Sequence, residues 1–404
     1  MINLRKINCC GCSACVSICP QHCLEMRENR EGFYEPILFD ADKCIQCNKC
    51  ITVCPVINVA PEKQGYEKAY IVQNTDETVR AESTSGGAFS AIAMSVIDLG
   101  GIVYGAAYDD QLMVSHMGRD HKDELWRFRN SKYVQSEMRN VFAEVKQYLE
   151  CERYVCFSGT PCQIEGLINF LQKPYDNLIT VDVVCRAVST PLLWKKYLNY
   201  QKRFYSPSHI AFRHKHYGYK YSTMSIFDSK KKEVYYEGVE SDLMLRAFFS
   251  DICDRKSCYE CKFKKRYRVS DFTIWDCFQP GYFDKKFDDD KGTSNLIIHS
   301  DKGERLFEKI TSKGYLRYKE VSPDQSVQGM REMFYPVPYN HNRKAFFEDL
   351  AVMDEEIFFD KYFSKTYKVR LTKWARVMAI KLHVYKKMKW LLFLYRRKKQ
   401  SVTK

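Results

Sequence analysis

The sequence lacks the features of a membrane-spanning or nicotinamide-binding protein. The longest apolar run in its last forty residues, WLLFLY at 390–395, is far too short to cross a bilayer. No Gly-x-Gly-x-x-Gly fingerprint follows a predicted strand, which disfavours a nicotinamide Rossmann site. No apolar run typical of a secretory signal precedes Cys9, so we expect the eighteen cysteines to be reduced and cytoplasmic. In that setting clustered cysteines more often bind metal than pair.

Acidic residues are absent from positions 365–404, which carry fourteen lysines and arginines. This tail accounts for the whole net charge of +14, because the other 364 residues hold 50 basic and 50 acidic groups. A neutral body disfavours nucleic acid as a partner. The tail predicts a basic amphipathic helix, either attached to the inner face of an anionic membrane or packed on its own body. Its apolar positions are Leu371, Trp374, Met378, Leu382, Tyr385, Met388, Leu392 and Tyr395.

Two copies of Cys-x2-Cys-x2-Cys-x3-Cys-Pro stand near the start, in CCGCSACVSICP at 9–20 and CIQCNKCITVCP at 44–55. In such a repeat three thiolates wrap one 4Fe-4S cluster and the fourth reaches the other cluster. The predicted ligand sets are Cys9, Cys12, Cys15 and Cys54, and Cys44, Cys47, Cys50 and Cys19. Residues 3–58 thus resemble the bacterial two-cluster ferredoxins. Cys10 and Cys23 are interpreted as packing thiols.

Downstream, short β-branched runs alternate with helical stretches, which predicts a largely parallel sheet covered by helices. Ligands bind such sheets at the carboxyl ends of strands, where three turns stand out. STSGGAF at 83–89 combines a capping hydroxyl with glycines that let amides approach a phosphate, although an ordinary helix cap explains it equally well. In SGTPCQ at 158–163, Cys162 begins a helix; in VVCRAVSTP, Cys185 ends a buried strand.

The late segment CDRKSCYECKF at 253–263 supplies Cys258 and Cys261, which with Cys162 and Cys185 make four thiols. Spacing alone leaves a zinc ion and an iron–sulfur cluster equally open. Two upstream clusters favour a third, because electrons need a stepping stone to a buried acceptor. We interpret Cys253 as a bystander.

Residues 68 to about 312 resemble the coenzyme F420 hydrogenase/dehydrogenase beta-subunit family, in the form with an N-terminal two-cluster ferredoxin. The matching segments are STSGGAFSAIA, SKYVQS, SGTPCQIEGL, DVVCRAVSTPLLW, RKSCYECKFKKRYRVSDFTI and DDKGTSNLIIHS. The resemblance implies FAD and a third 4Fe-4S cluster on Cys162, Cys185, Cys258 and Cys261. The implied flavin contacts are Ser83, Thr84, Ser85, Gly86, Gly87, Lys132, Gly159 and Thr160.

Two segments depart from the family pattern near the implied active face. Cys185-Arg186-Ala187 stands where relatives commonly have Cys-His-Gly, and WDCFQ at 275–279 replaces Gly-Asp-Phe-Trp-Gly. Arginine cannot donate a proton near neutral pH, but it can bind an anionic group. Both changes bear on the substrate more than on the clusters, and no catalytic residue is assigned.

These patterns predict an α+β multidomain protein. Residues 1–60 form a small ferredoxin-type domain, 61–335 an α/β domain with a mostly parallel sheet and a β-hairpin insertion, and 336–404 a basic helical tail. The predicted activity is that of a ferredoxin- or F420-linked oxidoreductase. It passes electrons from a donor such as ferredoxin to FAD and an organic substrate, in a role such as surface polysaccharide synthesis. The alternative is a non-catalytic electron-transfer subunit of a larger redox complex.

The insertion at 209–238 contains His209, His214 and His216, which could suggest a metal site. No acidic residue stands at ligand spacing in the sequence around them. We therefore interpret these histidines as solvated or stacking side chains on antiparallel strands.

Overall fold

A computed structural model of the protein describes residues 8–401, with side chains as far as residue 395. Its thirteen strands are β1 Leu24–Glu28, β2 Tyr34–Leu38, β3 Lys68–Asn74, β4 Ile102–Tyr108, β5 Val114–Arg119, β6 Val155–Gly159, β7 Leu178–Val183, β8 His209–His214, β9 Thr223–Phe227, β10 Glu233–Gly238, β11 Phe272–Asp276, β12 Ser294–Ile298 and β13 Leu316–Val321. The α-helices before the insertion are α1 Ala14–Ser17, α2 Lys49–Thr52, α3 Glu77–Glu82, α4 Ala88–Asp98, α5 Val141–Glu150, α6 Pro161–Leu171 and α7 Pro191–Lys202. Those after it are α8 Leu243–Phe249, α9 Lys256–Tyr259, α10 Asp301–Ser312, α11 Pro323–Val327, α12 Arg331–Phe334, α13 Arg343–Val352, α14 Glu355–Phe363, α15 Tyr367–Lys381 and α16 Tyr385–Ser401.

The two cysteine repeats fold alike. Each forms a single helical turn, α1 or α2, that begins between the second and third cysteines of its repeat. The residue before each turn, Ser13 or Asn48, has a left-handed backbone with φ of 67° and 58°. Strands β1 and β2 pair antiparallel beside them. The match between the two turns confirms the ferredoxin-like region predicted from the repeat.

An eight-stranded sheet forms the centre of the molecule, in the order β13-β3-β12-β11-β7-β6-β4-β5. Strands β11, β7, β6 and β4 are parallel neighbours, whereas the strands at both sides pair antiparallel. Five of the eight strands, β3 with those four, therefore run in the same direction. This confirms the mostly parallel sheet.

Successive side chains along the central strands point to opposite faces of this sheet, and both faces are buried. Val103, Cys156 and Val181 face a cluster that includes α4 and α10. Their neighbours Tyr104 and Phe157 face a second cluster with α5 and α6. A strand covered on both sides reads as a continuous apolar run, which is why the strand predictions from the sequence succeeded.

The insertion forms a three-stranded antiparallel sheet in the order β10-β9-β8, one strand more than a simple hairpin. Helices α7, α8, α13 and α14 pack with it around one apolar cluster centred on Trp194, Phe212 and Phe346.

The basic tail forms two helices, α15 and α16, that lie against the body. Lys373 pairs with Glu237 at 2.7 Å, Arg376 with Glu240 at 2.8 Å, and Lys386 with Asp288 at 3.1 Å. Many apolar side chains point outward instead, including Trp374 at 62% exposure and Leu391 at 65%. No described helix combines the length and the apolar character that a bilayer span requires.

Candidate functional site

A cavity of about 1350 Å³ opens at the carboxyl ends of β6, β7 and β11. Its walls include the turns at 83–89, 158–163 and 183–188. Adjacent strands end here in the same direction, because β6 and β7 pair in parallel. The cavity therefore lies at the carboxyl edge of the parallel strands, where the sequence predicted that a ligand would bind.

Cys162, Cys185, Cys258 and Cys261 all line this cavity. Cys162 sits in the first turn of α6, whose cap combines Thr160 with the Gln163 side chain. The pKa of Cys185 is raised to about 12, chiefly by burial, with Lys264 opposing the rise and the nearby Cys162 and Cys261 thiols adding to it. Charge from Cys185 and Cys261 likewise adds to burial in raising the pKa of Cys258. The fold thus gathers four thiols from distant parts of the chain.

The spacing of these thiols bears on the choice between zinc and a cluster. Four thiolates around one zinc ion, each about 2.3 Å away, lie about 3.8 Å apart. Among the residues that the structure describes, no three cysteines have sulfur atoms all within 4.8 Å of one another. These thiols therefore do not stand at the spacing of a preformed zinc site, and the third cluster itself stays a prediction.

The N-terminal cysteines lie close together, and their division into two crossed ligand sets stays a prediction from the repeat. A small cavity is lined by Cys9, Cys12, Cys15 and Cys54, together with Cys10 and with Cys50 of the other predicted set. Charges of Cys47, Cys19 and Cys44 act together on Cys50, whose pKa is raised chiefly by burial. Cys23, outside both sets, lies 3.4 Å from the sulfur of Cys19.

The first of these sets lies against the helix that carries Cys162. A Cβ atom added to Gly166 would stand 2.8 Å from the Cys12 sulfur and 3.0 Å from its Cβ, so only glycine allows this contact. Gly166 follows Cys162 by four residues, or about 6 Å of helix. Cys10 lines the main cavity beside Cys162, and this thiol and burial raise the pKa of Cys162 well above its ordinary value. The ferredoxin-like region therefore meets the cavity at these cysteines.

Arg255 joins the ferredoxin-like region to the body, and this role was not predicted from the sequence. It is 2% exposed and donates to the Cys9 carbonyl at 2.6 Å and the Tyr34 carbonyl at 3.0 Å. It also donates to Gln135 at 3.0 Å. The one sequence feature that could have indicated Arg255 is its position between Cys253 and Cys258.

Cys253 is fully buried in the apolar cluster around Trp194, which agrees with its interpretation as a bystander.

The turn at 83–87 differs in detail from the predicted cap. Gly87, with φ of 79°, occupies the N-cap of α4 and no side chain caps it, because the hydroxyls bond elsewhere. Ser83 donates to the Val79 carbonyl at 2.7 Å. Ser83, Thr84, Ser85 and Gly87 line the cavity, whereas Gly86 packs against the backbone of β3 and β12.

Lys132, Gly159 and Thr160 also line the cavity. The Lys132 ammonium donates to the carbonyls of Arg129 at 3.1 Å and Asn130 at 3.3 Å, and burial lowers its pKa to about 7.

His116, which was not predicted, is the one histidine among the described lining residues. It contacts Ser136 through Nδ1 and the Ser158 carbonyl through Nε2.

The segments that depart from the family pattern both border the cavity. Arg186 pairs with Asp251 at 2.7 Å and Glu332 at 3.2 Å, so its charge is already balanced. In WDCFQ, Trp275 Nε1 and Gln279 Oε1 are buried without a hydrogen-bond partner in the described part of the chain, as is Asn295 Oδ1 on the next strand. These three atoms are therefore exceptions to the usual pairing of buried polar groups.

The histidines of the insertion do have an acidic neighbour, which corrects the sequence interpretation. Glu233, from β10, accepts from His214 Nδ1 at 3.1 Å and contacts His216 Nδ1 at 2.7 Å. His209 lies apart and packs edge-on against Tyr108. Glu233 could not be recognised from its sequence spacing, because only the pairing of the strands brings it next to these histidines.

Clustered thiols, a crossed cysteine repeat and a cavity at the sheet edge define an iron–sulfur electron-transfer protein. Residues 8–58 and 36–89 match models of the 4Fe-4S dicluster domain. Residues 152–324 match the C-terminal model of the coenzyme F420 hydrogenase/dehydrogenase beta-subunit family, to which this part of the chain belongs.

A comparison with curated protein sequences gave no match. Among solved structures, a xenon-derivatised F420-reducing NiFe hydrogenase complex from Methanosarcina barkeri is similar, with a TM-score of 0.45. The two are 12% identical, and the match covers 76% of this chain and 96% of that chain.

Proposed function

We propose that the protein is an oxidoreductase that passes electrons from its two N-terminal clusters, through a third 4Fe-4S cluster, to FAD and an organic substrate. Cys162, Cys185, Cys258 and Cys261 would hold the third cluster. The observation that carries this proposal is the convergence of four thiols on one cavity, beside the point where Cys12 contacts α6.

The cavity fits a flavin together with a second molecule. Ligand cavities usually measure about 300–1,000 Å³, and this one exceeds that range at about 1350 Å³. The first amides of α4, behind Gly87, suit a phosphate because a helix begins there without a side-chain cap. Trp275, Gln279 and Asn295 line the cavity and would lie beside a ring system bound there. A bound flavin would supply the exchange between one-electron and two-electron transfer.

The donor and substrate are proposed by class. Ferredoxin or a redox subunit would deliver electrons, and F420 is a second acceptor class to test. A surface-glycan precursor is the first organic substrate that we propose to test, on the family resemblance alone. We also propose the division into residues 1–60, 61–335 and 336–404.

Metal and flavin analysis of protein purified without oxygen tests the proposal. We expect about twelve irons per chain, four for each cluster, and one FAD. Cys258→Ser should lose about four irons, whereas Cys253→Ser, at a buried thiol outside the site, should lose none. About eight irons with one zinc would overturn the third cluster, and loss of iron in the Cys253 variant alone would mean that the ligands are misassigned.

The alternative is an electron-transfer subunit without catalysis of its own. It is favoured by Arg186, whose charge is balanced, and by His116, whose two ring nitrogens are engaged. Neither group is free to donate a proton to a substrate. Full iron without flavin, together with rapid electron transfer to a partner protein, would favour this alternative over the oxidoreductase.

We further propose that the outward face of α15 and α16 binds an anionic membrane surface. Trp374 and Leu391 are exposed there, on a segment with no acidic residue. Flotation with anionic vesicles should be weaker for Trp374→Glu than for the wild type. Val352→Glu, at an exposed apolar position outside the tail, is the control. Equal flotation of all three proteins would contradict membrane binding.

A further inference from the structure

The insertion holds a compact group of metal-ligating side chains that the electron path does not use. His214, His216 and Glu233 have ligand atoms all within 4.8 Å of one another. They form the one such group of three or more histidine, cysteine or acidic side chains among the described residues. They do not line the main cavity, so they are separate from the site described above.

The distances within this group suit one small cation. Ligands at about 2.0–2.1 Å around a tetrahedral zinc ion lie about 3.3 Å apart. The two histidine nitrogens lie 3.1 Å and 2.7 Å from different oxygens of the Glu233 carboxylate. Two imidazoles and one carboxylate are a common zinc donor set, with water in the fourth position. Side-chain exposures of 20–31% leave room for that water.

Neighbouring side chains fix both rings. His216 stacks on Tyr236, with ring centroids 3.9 Å apart, and His214 meets Phe227 edge-on at 5.2 Å. Ligands that are ordered before binding lose little conformational entropy when a metal arrives. The three side chains come from the end of β8, the segment after it and β10, so an ion would tie the outer strands of the sheet together.

This group also connects to the cavity through the residue between the histidines. The Lys215 ammonium donates to the carbonyls of Ser85 at 2.8 Å, Lys291 at 2.7 Å and Arg80 at 2.5 Å. Ser85 belongs to the turn at 83–87 that lines the cavity. Holding His214 and His216 therefore also holds Lys215 against that turn.

We propose that His214, His216 and Glu233 bind a divalent transition-metal ion such as Zn²⁺, which clamps residues 214–216 against the cavity wall. The competing arrangement is a carboxylate that simply accepts hydrogen bonds from two neutral imidazoles. Glu233→Gln separates the two, because glutamine preserves size and can still accept from one ring and donate to the other, but it is a poor zinc ligand.

Equilibrium dialysis of the full-length protein, purified without oxygen and with its clusters in place, against Zn²⁺ tests the site. Iron is measured in parallel. Wild type and His209→Gln, a control on the same sheet, should each bind one Zn²⁺ with iron unchanged. Glu233→Gln and His216→Gln should bind Zn²⁺ at least about tenfold more weakly. Equal binding by Glu233→Gln and wild type, or zinc uptake matched by iron loss, would overturn the site.

Hydrogen exchange tests the clamp separately. Zn²⁺ should slow amide exchange over residues 214–222 in wild type and in His209→Gln, but not in Glu233→Gln. Stoichiometric binding without any slowing would overturn the clamp, and retained iron in the variants shows that they have folded.

Discussion

Replacing Arg255 by methionine removes the charged end of the side chain that joins the ferredoxin-like region to the body, while keeping most of its apolar stem. The Cys9 carbonyl then loses the hydrogen bond that Arg255 donates at 2.6 Å. The Tyr34 carbonyl keeps a bond from Gln135 at 3.1 Å. Since Cys9 is a predicted cluster ligand, the change acts directly at the contact between cluster and body.

The magnitude follows from what is left without a partner. One buried carbonyl without a hydrogen bond costs about 1–3 kcal/mol. The partly exposed pair with Glu35 adds up to about 1 kcal/mol. We therefore expect docking to weaken by about 1–4 kcal/mol, which is about a 5- to 1,000-fold larger undocked population.

Hydrogen exchange at the Tyr34 amide reports this population, because that amide donates to Gln135 at 2.9 Å across the interface. Exchange in Arg255→Met should rise by the same factor of about 5 to 1,000 with iron retained. Arg80→Met is the matched control, since Arg80 is also buried and paired, with Asp289, but is absent from this interface. A rise below about fivefold, or an equal rise in the control, would refute the reasoning.

Three further substitutions test the cavity and its contacts. Gly166→Ala should slow electron transfer into the cavity in stopped-flow reduction, because its Cβ forces Cys12 to move; Gly303→Ala, in another crowded helix, should not. Gly87→Ala should lower the free energy of unfolding by about 1–2 kcal/mol, since alanine is strained at φ of 79°. It should also lower the flavin content, and unchanged flavin content would contradict this. Lys132→Met should raise the melting temperature more at pH 7 than at pH 9. Folding lowers the pKa of Lys132 to about 7, so above pH 7 the unfolded chain keeps Lys132 protonated while the folded chain loses that proton. Because the unfolded state then binds more protons, the stability of the wild type rises with pH above 7. An advantage independent of pH would contradict that assignment.

The two 4Fe-4S clusters could be predicted from the sequence because the spacing of their cysteines is local, and the crossed ligand sets stay a prediction. Two residues between cysteines fix how successive thiolates meet a cluster, and the repeat fixes the crossing. The strands around the cavity were equally predictable, since strands buried on both faces read as continuous apolar runs. Cys162 and Cys185 were placed together correctly because parallel neighbours end at the same edge.

Contacts made across the fold could not be predicted in this way. Glu233 reaches His214 and His216 through strand pairing, and Arg255 reaches Cys9 over 246 positions of sequence. The basic tail was equally undecided between a membrane and its own body. Its cations meet Glu237, Glu240 and Asp288, which no periodicity reveals.

The sequence by itself therefore determined the cluster-binding repeat, the sheet and the edge where the cavity lies, because each depends on short-range spacing and alternation. The tertiary structure alone decided which loops close around that edge, how the cluster region docks on α6 and which charges pair. These depend on distances between residues far apart in the chain, which only the packed fold brings together.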